Sequence, residues 1–518
     1  MTVLGRMVMI SAAVLAMAST ALAQDERPSI TIGVQSLPAG FDPGLNISNV
    51  GQRVNYSLFD ELIRRAYWEG ENGDGAELAP SIATDWRNVS DTEWEVDIRT
   101  DVVFHDGTPM TAEDVAFSFS EERVFGEERL VAAGPTYFGN FTNVEVVDED
   151  TVRFTTSGPD PIFPYRFTAT LGKVVPKDYY LEVGPEQFNL APIGTGPYKL
   201  AEMRQGEFIR LEANDDYWGG LPPAREVTFV EIPEMATRIS GLMTGELDMI
   251  TDVSPDQRDT LAQADGVQLM PAVIDNSRVI VFNTFEAPMD DPNMRRAMAY
   301  AADRQMVVEA LWGGDSRVLP ELTFTAHGED FFASRTAAAY DPEEAQRLLD
   351  LAGYEGEEIV LRIPDGYYTN FLEVSQVLQQ MWRESGINVS IELRDTGPVL
   401  TEDTWHMRAW SNGMQIPDLT HPLANNYDRS AVRTNPDHHN YTWQAPERLY
   451  ELLDLLNTTI DADQRLAYFT EALDLMEAEA PQMELFQHVE YFGVREGIDW
   501  KPYSFWMMDL GPDNLSFE

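Results

Sequence analysis

Seven histidines, 87 acidic side chains and no cysteine are the raw material for chemistry in this 518-residue chain. Without cysteine there is no thiolate nucleophile, no thiolate metal ligand and no disulfide. The histidines are His105, His327, His406, His421, His438, His439 and His488. His438 and His439 are adjacent, so their side chains share neither a helix face nor a strand face. A metal site built from them with His421 or His488 is a weaker reading than ordinary hydrogen-bonding roles. Acids are so abundant that a carboxylate pair at glycosidase spacing arises by chance. No G-x-S-x-G, H-E-x-x-H, P-loop or G-x-G-x-x-G sequence occurs. The sequence gives no sign of catalysis and calls for no cofactor and no metal.

What it offers instead is material for holding a ligand. In "RAWSNGMQIPDL" (408–419) nine consecutive positions from Ala409 to Pro417 carry no charge, within a very acidic chain. Arg408 and Trp410 lie two apart and so share a strand face. Trp410 offers an aromatic face, Asn412 an amide, Arg408 an anion partner, and Asp418 is the next acid. Trp405 stands just upstream, and Tyr367 in "PDGYYTN" (364–370) adds a third aromatic. Sugars stack on such aromatics, and a cationic solute meets them through cation–π contact. Arg278, Phe486 and His488 are further candidates.

These residues need a scaffold. A chain of this length exceeds one core and predicts two or three lobes. The N-terminus, with Arg6, "MVMISAAVLAMA" and "ALA" at 21–23, reads as a cleaved secretory signal peptide over residues 1–23. No later run approaches the roughly 20 apolar residues of a membrane span. Without cysteine there is no lipoprotein anchor, so an exported protein without a direct membrane anchor is expected. The formal charge of −51 becomes −52 on loss of Arg6. Such a field disfavours nucleic acid and anionic lipid as partners.

"ITIGV" (30–34) reads as a buried strand and "WEVDIR" (94–99) as a half-buried one. "TAEDVAFSF" begins a helix with Thr111 and Asp114 at capping-box spacing. Turn-rich short strands fill 125–230. Further on, "DDPNMRRAMAYAADRQMVVEALWGG" reads as a helix from Asp291–Pro292 to paired glycines, and "YDPEEAQRLLDLAGY" as a helix from Asp341 to Gly353. "EIVLRI", a helix over 370–385 and "INVSIEL" form a βαβ unit with parallel strands. A long helix over 461–479 is expected to pack on this α/β lobe.

Five stretches, in order, resemble family 5 extracytoplasmic solute-binding proteins, the binding components of peptide, opine, nickel and oligosaccharide importers. They are "LAPSIATDWRNVSDTEWEVDIRTDVVFHDGTPMTAEDVAFSF" (78–119), "PIGTGPYKL" with "EANDDYWGG" (192–220), "RISGLMTGELDMI" (238–250), "VFNTFEAPMDDPNMRRAMAYAADRQMVVEALWGG" and "YDPEEAQRLLDLAGY". The resemblance implies an α/β, type II periplasmic binding protein fold (Venus-flytrap, cluster C) of three domains. Domain I comprises 24–62, 190–284 and 486–518, domain II the strand-rich insertion 63–189, and domain III the α/β lobe 285–485. Crossings between domains I and III are expected near 281–286 and 484–489. It implies a periplasmic substrate-binding component of an ABC importer, closing on a small-molecule solute and delivering it to a membrane permease.

In peptide-binding members a strand ending in Trp is followed three residues on by an Asp that grips the α-ammonium. Trp410 matches the tryptophan, but the residue three on is Gly413. The loop that would supply an arginine for a dipeptide carboxylate offers Asp365 and two tyrosines. The expected ligand is therefore an opine, an amino-acid derivative, an atypical peptide or an oligosaccharide. An ordinary di- or oligopeptide is the alternative, and a secreted hydrolase a remoter one. On this reading Trp410→Ala weakens binding at least about tenfold and leaves the empty protein's melting point nearly unchanged.

Overall fold

Two long strands organise the molecule. Val267–Phe282 and Gln482–Arg495 pair antiparallel, from Val267 opposite Arg495 to Val281 opposite Gln482. Their register shifts between Val273 and Ser277 and again between Arg278 and Val279. Extra residues of this kind bend and twist a ladder, which re-aims the side chains beside them. The computed structural model describes residues 26–394 and 405–518, so the expected signal peptide lies outside the described residues.

The pair sits in the middle of a ten-stranded sheet. On one side, in order, lie Met407–Gly413, Ile359–Pro364 and Val389–Arg394. On the other lie Met249–Ile250, Ser29–Val34, Glu226–Glu231, Phe208–Ala213 and Tyr198–Arg204. One hydrophobic core, including Ile32, Phe229, Tyr198 and Trp500, packs around the second of these halves. Another, including Leu361, Leu378, Trp382 and Met407, packs around the first. The sheet is continuous between them.

The βαβ unit forms as its pattern dictates. Ile359–Pro364 runs parallel to Val389–Arg394, and Phe371–Glu384 connects them. That helix buries Phe371, Val374, Leu378 and Trp382, one apolar stripe at helical spacing. The Trp382 indole N–H donates to the Met298 carbonyl at 2.9 Å. Gly386, at φ +80°, makes the reversal into the next strand without the cost a Cβ carries there.

The segment 291–314 departs from expectation. It forms two helices, Pro292–Tyr300 and Arg304–Trp312, where one was read. The break is at Asp303, whose carboxylate accepts from the Met306 N–H at 2.9 Å. A carboxylate that satisfies a free first-turn N–H starts a new helix in preference to continuing an old one. The helix Ala462–Glu479 packs mainly on Glu447–Thr458, in a helical cluster with Leu423 and Tyr427.

Residues 62–174 build a separate core beneath a four-stranded antiparallel sheet, ordered Ala83–Ser90, Glu93–Ile98, Thr151–Thr156 and Phe141–Val146. Edge-to-face aromatic pairs fill it, among them Phe119–Phe167 at 4.9 Å and 82°. Asp114 Oδ2 accepts from the Thr111 N–H and hydroxyl, as the capping-box spacing requires. Ile416, far along the chain, inserts into this core. Nearby, the Tyr137 hydroxyl donates to Gln415 Oε1 at 3.0 Å.

Candidate functional site

Where the two long strands shift register, they expose Arg278 and His488 to a cavity of about 120 Å³. Its other walls come from separate elements. The helix Asn49–Leu58, capped by the Ser48 hydroxyl on the Gly51 N–H, presents its first turn. The loop after Ile359–Pro364 brings Tyr367 and Tyr368, turning through Gly366 and Asn370 at positive φ. Trp506 closes a further side, near the His488 ring. The Gln35 amide donates to the Gly366 carbonyl at 2.9 Å, tying the N-terminal strand's edge to the tyrosine loop across the opening.

Two arginines meet this cavity in different states. Arg53, from the capped helix, pairs with Asp252 at 3.1 Å and Glu490 at 2.8 Å. Asp252 holds a left-handed backbone, φ +54°, which costs energy for a residue with a Cβ. Burial acts to raise the Asp252 carboxyl, but Arg53 and the Thr251 hydroxyl bring it below its ordinary value. Burial, with Asp252 nearby, pushes Glu490 up to about 7.

Arg278 is 4% exposed and has no such partner. Its Nη1 donates to Asn276 Oδ1 at 2.7 Å and its guanidinium lies 4.6 Å over the Tyr368 ring. Among the described residues no carboxylate stands within ion-pair distance of it. Burial lowers its pKa below the ordinary arginine value, partly offset by Tyr368, Tyr367, Glu490 and Asp252. His488 is likewise held well below its ordinary value, first by burial and then by Arg278 and Arg53, and so stays neutral.

The Glu490 carboxyl gives a stability prediction. Its folded pKa lies above the unfolded value near 4.3. The protonated form thus stabilises the fold below about pH 4.3, and that contribution is lost as pH rises through about 7. Glu490→Gln, which mimics the protonated acid, should gain stability relative to the wild type between pH 4.5 and 8, by about 3 kcal/mol. Urea titrations of both proteins at the two pH values read this directly, and a gap that shrinks as pH rises would refute it.

The structure divides the sequence candidates. Arg278, His488 and Tyr367 come together at the cavity. Arg408, Trp410 and Asn412 share a strand face, as the spacing requires, but it is the opposite face. Their register partners, Val281, Val279 and Ser277, alternate with Arg278 along the neighbouring strand. There Trp410 lies between the guanidinium groups of Arg408, at 4.4 Å, and Arg433, at 5.5 Å. Arg408 also lies 5.1 Å over Trp405 and donates to Asn440. Asn412 accepts from Arg433 at 2.8 Å and donates to Gln482 and Glu484. Burial, followed by Arg433, lowers the Arg408 pKa to about 9.

Asp418 is held by Arg465 at 2.7 and 2.9 Å and caps Thr420. These contacts outweigh burial and bring its carboxyl below the ordinary range. Phe486 packs on Trp312 at 4.4 Å inside the core. Trp410 therefore supports its lobe. We expect Trp410→Ala to destabilise the empty protein by about 3 kcal/mol, because it removes the ring between two buried cations. An unchanged melting temperature would restore the expectation drawn from sequence.

Arg53, Asp252, Glu490 and Trp506 were not among the sequence candidates. Arg53 carried one signal, a lone cation in the amphipathic helical run "NVGQRVNYSL". Asp252, Glu490 and Trp506 carried none. Among the described residues no cluster of three or more His, Asp or Glu side chains is arranged to hold a metal, and no helix is long and apolar enough to cross a membrane.

Comparison with known proteins gives this cavity a context. Residues 77–432 match the model for bacterial extracellular solute-binding proteins, family 5. The chain belongs to this family. This family 5 protein is 24% identical to the dipeptide-binding protein of Escherichia coli (strain K12) over 513 residues, 93% of each chain. It is 25% identical to di/tripeptide-binding protein 3 of Pseudomonas aeruginosa (strain UCBPP-PA14), over 89% of this chain and 90% of that one. The dipeptide binding protein from Pseudoalteromonas sp. SM9913, in complex with Met-Leu, superposes with a TM-score of 0.83 at 21% identity, covering 95% of this chain and 100% of that one. AgaA from A. tumefaciens R10, in complex with agropinic acid, gives 0.79 at 22%, covering 95% and 99%. The fold is that of a type II periplasmic binding protein of cluster C. The protein is the periplasmic substrate-binding component of an ABC importer, working with a membrane permease.

Proposed function

We propose that the solute is held in the cavity at Arg278, His488 and Tyr367, between a lobe built on 24–62, 190–284 and 486–518 and a lobe built on 285–485. The observation that carries this reading is the guanidinium of Arg278, buried and without a counter-ion at the wall of a cavity that both lobes line. A buried cation of this kind is costly until something pairs with it. A ligand that binds only when both lobes close around it supplies the differential affinity that drives closure. The solute is a small polar organic molecule, an opine, an amino-acid derivative, an atypical peptide or an oligosaccharide. The relatives that bind dipeptides favour a second reading, an ordinary di- or tripeptide.

The mature protein is a periplasmic monomer, released from its leader after residue 23 and, lacking cysteine, free of a lipid anchor. It binds its solute without turning it over. Native mass spectrometry of freshly purified protein tests this. A small, chemically intact adduct should accompany the wild type and be missing from Arg278→Met. An adduct retained equally by both would move the site elsewhere, and recovery of cleaved product would point to an enzyme.

A further inference from the structure

We propose that the cavity is a carboxylate subsite, and that Gly413 is the residue that keeps it so; the inference rests on the cavity being the solute site. Asn276 stands opposite Gly413 and Arg278 opposite Ser411 in the pairing of the two strands. All four residues therefore share one strand face, and Arg278 reaches the cavity from it. Asp252 and Glu490 are both taken up by Arg53. Arg278 is left with a neutral acceptor, Asn276 Oδ1, and an aromatic face.

The first turn of the ten-residue helix Asn49–Leu58 faces the same space with the positive end of its dipole. A guanidinium fork beside a helix N-terminus matches a planar carboxylate, which accepts two parallel hydrogen bonds. The aromatic walls, Tyr367 and Trp506, then take the uncharged remainder of the solute.

Gly413 is decisive because nothing steric forbids an acid there. A Cβ on it would meet only Asn276 Nδ2, at 3.4 Å, an ordinary contact, and its backbone is outside the left-handed region. An aspartate at 413 would stand diagonally across the ladder from Arg278, within reach of so long a side chain. It would neutralise the guanidinium from inside the protein. The subsite would then no longer attract an anion and would favour a cation. The glycine leaves the positive charge for the solute.

The test uses acetate and methylammonium as probes, because both fit the cavity and differ in the sign of their charge. Melting temperatures are recorded in sodium acetate, sodium chloride and methylammonium chloride at equal ionic strength. Acetate should raise the melting temperature of wild type and of Gly413→Asn above the chloride value. It should leave Gly413→Asp and Arg278→Met at the chloride value. Without any probe at pH 7, Gly413→Asp should melt above Gly413→Asn, since only it supplies the counter-ion.

A shift produced by methylammonium in the wild type, or an acetate shift that survives in Arg278→Met or Gly413→Asp, overturns the carboxylate assignment. So does the absence of any shift from either probe. Failure of the underlying reading looks different: a solute recovered from the purified protein would then be retained by Arg278→Met as well as by wild type.

Discussion

Arg278→Met should lose about 100-fold or more in affinity for the solute while the empty protein becomes no less stable. A hydrogen-bonded charge pair buried in an interface costs about 2–5 kcal/mol when one partner is truncated, and about 1.4 kcal/mol is tenfold. Methionine keeps the unbranched stem that packs beside Tyr368 and removes the guanidinium. In the empty protein that guanidinium has Asn276 and a ring for company but no carboxylate. Its removal relieves a desolvation cost and leaves no buried anion behind. Isothermal titration with the recovered solute and urea unfolding of the empty protein give the two numbers. Unchanged affinity, or a stability loss of several kcal/mol, would make Arg278 a structural residue.

Arg53→Met should behave in the opposite way, destabilising the empty protein by about 3–5 kcal/mol at pH 7. Arg53 is the cation between two carboxylates, the buried Glu490 and the half-buried Asp252. Removing it leaves Glu490 without its ion-pair partner in the interior, where an uncompensated charge is most expensive, and Asp252 without its partner at the cavity wall. The loss should shrink at pH 5. There Glu490, already raised to about 7 in the intact protein, takes up a proton and ceases to need the cation. Urea midpoints of wild type and variant at pH 5 and pH 8 decide the matter. An equal loss at both would show that packing of the arginine stem, not its charge, holds this part of the fold.

Two arginines at one cavity thus carry opposite assignments, and the sequence ranked them poorly. It offered Arg278 as a minor candidate and did not offer Arg53. Local pattern was legible wherever it alone decides structure. The parallel strands around Phe371–Glu384, the capped helix at Asp341 and the reversal at Gly386 all follow from spacing and glycine placement. Asp303 was missed because "AADRQ" continues an apolar period that its own carboxylate then interrupts.

The segment 408–419 shows where local pattern stops. Period two grouped Arg408 with Trp410 on one face, and the structure adds Asn412. Which face turns to the cavity depends on what covers the other. Here that is Arg433 and Tyr427, delivered by a stretch whose placement no strand period reveals. The alternate residues of the same strand, Ser411 and Gly413, stand on the face of Arg278, opposite Arg278 and Asn276. The uncharged run singled out by sequence thus lies beside Arg278 through its smallest members.

Charge was ambiguous for a related reason. A net charge of −51 describes the exterior, and the fold gathers two of its 36 basic residues into one small space. An anion approaching through solvent meets a net negative field that added salt screens, whereas its contact with the buried Arg278 is screened far less. Such a protein can be very acidic and still select a carboxylate.

The most direct measurement is a crystal structure of the protein with the solute recovered from its own purification. The account predicts an oxygen of that solute within hydrogen-bonding distance of the Arg278 guanidinium, with its uncharged part against Tyr367 and Trp506. A solute lying over Trp410 instead, or one that places an ammonium group beside Gly413 and leaves Arg278 without an anionic partner, would contradict it.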